Sequence, residues 1–133
     1  MLPKILIIGG DRMLAIDGNM ITATRGDFVF FTVTAEEDGA SYVFERGDVL
    51  RFKVFERKEC DQVVLQKDTL VEIDTEQVEI FLSREDTKLG EVISKPVDYW
   101  YEVELNPETE PQTIIGYTED GPAVFTLLPE GGE

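Results

Sequence analysis

Strict two-residue alternation of apolar and polar side chains is the feature that most constrains what this chain can become. In residues 97–105, Tyr99, Tyr101, Val103 and Leu105 fall on one side, while Asp98, Trp100, Glu102 and Glu104 fall on the other. Successive side chains of a strand point to opposite faces, so this run predicts a half-buried β-strand and fits no helix. Residues 27–35 repeat the pattern, with Val29, Phe31, Val33 and Ala35 on one face and Phe28, Phe30, Thr32 and Thr34 on the other. Runs 49–56 and 77–82 place Leu50, Phe52 and Val54, then Val78, Ile80 and Leu82, inward. Composition points the same way, because Val, Ile and Thr number 34 against 5 Ala. β-Branched side chains lose rotamers on a helix and pack well on a pleated surface.

Shorter strands are predicted over 5–8, 13–16, 20–24, 63–67, 69–73, 112–117 and 123–128. Turn signals separate them, among them Gly9-Gly10, Asp17-Gly18-Asn19 and Glu119-Asp120-Gly121. Ser83, followed three residues later by Asp86, predicts a capped helical turn. Short strands so punctuated, at roughly 8–12-residue spacing, predict an all-β chain, built as an antiparallel sandwich or a barrel. A length of 133 residues suits one domain with a substantial core. Residues 1–19 are set apart as an N-terminal extension with a candidate added strand, and residues 20–133 form the domain proper.

The balance of 12 basic against 28 acidic side chains, net −16, disfavours nucleic acid and anionic membranes as partners, since both recruit clustered Lys and Arg. The chain has no His, which removes the commonest general base and metal ligand. No cofactor and no metal is expected. One cysteine, Cys60, excludes an internal disulfide, fits a reducing compartment and reads as a small hydrophobe. The apolar run at 5–8 is too short for a secretory leader, and nothing approaches the ~18 apolar residues of a membrane helix. A soluble protein is expected.

Each motif has a structural reading beside its functional one. Arg25-Gly26-Asp27 matches an integrin-binding tripeptide, but directly before a strand it reads as a tight turn. Ile7-Ile8-Gly9-Gly10 lacks the third glycine and the helix of a dinucleotide-binding start. Acidic turns such as Glu36-Glu37-Asp38 offer oxygens to calcium without the spacing of a known loop, and read as solvated carboxylates. Trp100 lies opposite the Tyr99/Tyr101 face, and Phe28 and Phe30 lie on the second face of their strand. Aromatic side chains on nominally outer faces mark a covered sheet or an interface, so Phe28, Phe30 and Trp100 form the candidate interaction surface.

Several of these stretches, taken in order, are similar to one known domain. They are Ile21-Thr-Ala-Thr-Arg-Gly-Asp27, Gly47-Asp-Val-Leu-Arg-Phe-Lys-Val54, Leu82-Ser-Arg-Glu-Asp-Thr87, Val97-Asp-Tyr-Trp-Tyr-Glu-Val-Glu-Leu105 and Thr113-Ile-Ile-Gly116. Together they resemble the small immunoglobulin-like domain of Gram-positive phage and prophage structural proteins, such as the N-terminal domains of baseplate upper proteins. The likeness spans residues 21–128. Val97 stands where that family has glycine, and residues 1–19 have no counterpart. The resemblance implies an antiparallel immunoglobulin-like β-sandwich and a non-enzymatic tail, baseplate or fibre-associated protein, found in the virion or the bacterial cytoplasm. Its implied partners are other virion or assembly proteins, with self-association through an added strand as a further expectation. The alternative is a carbohydrate-binding module using Trp100, Tyr99 or Tyr117 as sugar platforms. A hydrolase built on a carboxylate pair is the third reading.

Overall fold

The computed structural model of the chain describes residues 4–9, 15–17, 20–37, 40–59, 61–109, 111–115 and 123–130. Its strands are β1 (Lys4–Gly9), β2 (Ala15–Asp17), β3 (Met20–Thr24), β4 (Val29–Glu37), β5 (Ala40–Ser41), β6 (Val49–Phe55), β7 (Val63–Leu70), β8 (Val78–Leu82), β9 (Val97–Leu105), β10 (Gln112–Ile115) and β11 (Ala123–Leu128). A single turn of helix, α1 (Arg84–Thr87), follows β8. The chain is therefore all-β, as the alternation requires.

Two sheets enclose one core. The smaller is centred on β4, which pairs with β1 along one edge and with β8 and β5 along the other. The larger runs β2-β3-β11-β9-β6-β7, with β10 beside the end of β9. Val29, Phe31 and Val33 of β4 and Val78, Ile80 and Leu82 of β8 meet Ile21, Leu50, Phe52, Val54, Tyr101, Val103, Phe125 and Leu127 from the larger sheet. The Phe31 and Phe52 rings join the sheets edge-on, with centroids 5.3 Å apart. Those of β4, β6, β8 and β9 are the residues that strand parity places inward, because burying one face of each strand is the main favourable term in folding.

The sheets depart from the expected pairing at one place. β3 and β11 run parallel, from Ile21 opposite Phe125 to Thr24 opposite Leu128, so the larger sheet is mixed and not wholly antiparallel. Parallel neighbours need a long connection, and here everything from β4 to β10 lies between them. A second difference concerns residues 63–73, read as two strands broken at Lys67-Asp68. Residues 63–70 form the one strand β7, which runs through both charges because each is held in place, while 71–73 lie beyond its end. The Arg51 guanidinium grips Asp68 through two bonds of 2.9 Å, and Lys67 Nζ reaches Asp86 at 2.7 Å. β1 pairs antiparallel with β4 of the same chain, from Lys4 opposite Glu36 to Gly9 opposite Phe31.

Candidate functional site

On the outer face of the smaller sheet, three phenylalanines form a row. Val29 and Phe31 point into the core, so their neighbours Phe28 and Phe30 point out. Phe30 is opposite Phe81 of β8 in register, with ring centroids 5.7 Å apart, and Phe28 lies 6.1 Å from the same ring. Phe28 is 49% exposed and Phe81 46%, while Phe30 is half-buried. Folding thus leaves a contiguous aromatic surface in water, beside an edge of β8 that has no strand partner among the described residues. Phe81 was absent from the sequence reading. Its signal was its place opposite Val78, Ile80 and Leu82, the parity that singled out Phe28 and Phe30.

Trp100 lies on the other sheet, so the structure does not bring it together with Phe28 and Phe30. It is half-buried on the outer face, between Phe55 of β6 and Val124 of β11 in register. Phe55 is itself buried, yet stands outside the common core, and Lys53 Nζ lies 5.9 Å from its ring centroid. Around this pair the outer face is a ladder of charges. Lys53 bridges Glu104 at 2.8 Å and Glu102 at 3.2 Å. Burial alone would lower the Lys53 pKa, but the bonds from Glu104 and Glu102 outweigh it and raise the pKa. Arg51 binds Glu108 as well as Asp68, each at 2.9 Å. The carboxylates that converge on this face do so around cations.

Arg25-Gly26-Asp27 is a structural turn. Arg25 is only 8% exposed. Its guanidinium pairs with Glu130 at 2.6 Å and donates to the Gly90 and Leu89 carbonyls. Gly26 takes a φ of +86°, where side chains bring strain, and its N–H donates to Thr87 Oγ1. The Thr87 hydroxyl in turn donates to the Asp27 carbonyl. The tripeptide therefore ties the start of β4 to α1 and to the end of β11.

The remaining candidates divide between buried and undescribed positions. Tyr99 packs in the core, where burial raises its hydroxyl pKa, so it offers no flat ring to a sugar. Tyr117, Cys60, Gly10, Gly18-Asn19, Asp38 and Glu119-Asp120-Gly121 lie outside the described residues. Among the described residues, no group of three or more Cys, Asp or Glu converges as a metal site. No helix among them is long and apolar enough to cross a membrane. Set beside known proteins, the chain matches no family model, no curated protein and no solved structure.

Proposed function

We propose that this chain is a non-enzymatic structural protein of a Gram-positive phage or prophage, an immunoglobulin-like β-sandwich that docks other virion or assembly proteins. The observation that carries this reading is the Phe28–Phe30–Phe81 row. It lies on strands β4 and β8, whose opposite face is buried in the core at Val29, Phe31, Val33, Val78, Ile80 and Leu82, so it can be presented to a partner without unfolding. Exposed aromatics of this kind cost solubility alone and gain free energy when a partner covers them, which is why they anchor protein interfaces. The order of short motifs shared with the phage domains supports the same reading, as does a net charge of −16, which favours solubility and disfavours contact with packaged nucleic acid.

The test is site-specific photocrosslinking in virions of the phage or prophage that encodes the chain. A crosslinker at Phe28 is expected to give one discrete adduct with a virion protein. The same group at Val92, 80% exposed and outside both sheets, is expected to give none. Equal adducts from both positions, or absence of the chain from purified particles, would overturn the assignment.

A further inference from the structure

The two sheets leave a seam between β7 and β8. β7 is the last strand of the larger sheet, and β8 pairs with β4 alone, so among the described residues neither outer edge has a strand partner. An open edge carries a row of N–H and C=O groups ready to pair with an added strand. One end of the seam is clasped. Lys67 sits opposite Phe52 in register, on the inner face of β7, and its ammonium crosses to Asp86 just beyond β8. A charge turned inward on an edge strand is a protection against pairing. At the other end, where the chain passes from β7 to β8, lies a cleft of about 500 Å³ that Thr69, Thr75 and Gln77 line together with Leu70–Ile73 and Val78–Glu79.

The cleft has a definite chemistry. Val71 and Val78 are buried at its base, while Leu70 is 59% and Ile73 74% exposed along its wall. Glu72 and Glu79 line it too, both exposed and neither in an ion pair among the described residues. Glu79 shares the outer face of β8 with Phe81. A strand laid along β8 alternates its own side chains between two environments. Those turned inward meet the valines at the base of the cleft, and those turned outward meet a carboxylate and an aromatic ring. Lys and Arg suit the second environment, by charge and by cation–π contact.

We infer that the open edge of β8 accepts an extended segment of a partner protein in which apolar residues alternate with Lys or Arg, by strand addition with the apolar side chains seated in the cleft. This deepens the docking role proposed above and rests on it. A second copy of this chain is the wrong occupant, because each copy carries a net charge of −16.

The experiment uses the full chain, isotope-labelled for NMR, with short synthetic peptides as probes. A peptide alternating Val and Lys is expected to bind and to slow amide exchange along Val78–Leu82, and a Val/Glu peptide is expected not to bind. Peptides N-methylated at alternate residues remove the donors from one edge only. Methylation in one register is expected to abolish binding and in the other to spare it. Glu72→Lys combined with Glu79→Lys is expected to weaken binding about tenfold, without lowering the melting temperature. Equal binding of the Val/Glu peptide, indifference to methylation in both registers, protection elsewhere on the surface, or no saturable binding would each overturn the site. If the site fails while the Phe28 crosslink persists, the docking role stands without strand addition. If both fail, the role goes with it.

Discussion

Phe52 stands at the crossing of the two sheets, edge-on to Phe31 and within 5.6 Å and 6.2 Å of the Tyr101 and Phe125 ring centroids. It is fully buried. Removing such a ring loses its transfer free energy and leaves a cavity that neighbours from both sheets cannot fill. Phe52→Ala is therefore expected to cost about 3–5 kcal/mol in urea denaturation, with Tyr101→Ala in the same range. Phe28→Ser is expected to stay within about 0.5 kcal/mol, because that ring is half in water already. With the photoreactive group moved to Phe81 on the same face, the same change should abolish the partner crosslink. A large loss at Phe28 would mean that the aromatic row is a satellite core of the folded chain rather than a docking surface. Parity made the Phe52 and Phe28 assignments legible from sequence. It could not show that Arg25 is buried, since its partners Leu89, Gly90 and Glu130 are 64, 65 and 105 residues away.

Among the elements, α1 shows how a four-residue piece can organise a larger junction. Ser83 caps it, with its hydroxyl accepting from the Asp86 N–H at 3.1 Å and the Asp86 carboxylate accepting from the Ser83 N–H at 2.9 Å. The same carboxylate holds Lys67 across the seam. Burial alone would raise the Asp86 pKa, but the Lys67 ammonium and the Ser83 donors lower it overall. Ser83→Ala is expected to cost about 1 kcal/mol as a lost cap. Asp86→Ala is expected to cost more, since it removes the cap and leaves Lys67 unpaired. Equal losses in thermal melts would show that the clasp contributes nothing to stability. The cap was legible because both partners lie within one turn of sequence. β7 was not, because the partners that hold its charges, Arg51 and Asp86, are 17 and 19 residues away. Nor was the parallel pairing of β3 with β11, which depends on how the whole intervening chain folds back. Alternation tells a strand which face to bury, while its neighbour is chosen by the rest of the molecule.

At the scale of the whole molecule, charge sets the solution behaviour. Arg25, Arg51, Lys53, Arg57 and Lys67 all engage carboxylates, yet 28 acids against 12 bases leave a large unpaired surplus. That surplus repels itself in the compact state and less so in the expanded unfolded chain. Raising ionic strength from roughly 0.01 to 0.15 M shortens the screening length from about 30 to about 8 Å, which weakens diffuse repulsion more than contact pairs. The melting temperature at pH 7 is therefore expected to rise with added salt. Acid works in the opposite direction on the specific pairs. The Arg51 bonds hold the Asp68 carboxyl below its ordinary range, and Asp86 is lowered as well. For a group depressed in the folded state, the stabilisation is present above the unfolded pKa of about 3.9 and is lost as pH falls through the folded value. Differential scanning fluorimetry over pH and salt is expected to show melting that declines below about pH 4 as Arg51 and Lys67 lose their partners. Carboxyl-to-amide changes at Asp68 and Asp86 should flatten that decline by lowering the melting temperature at neutral pH. A fall with salt at pH 7 would mean that the surface pairs outweigh the repulsion, and that the acidic surplus is better compensated than its formal charge implies.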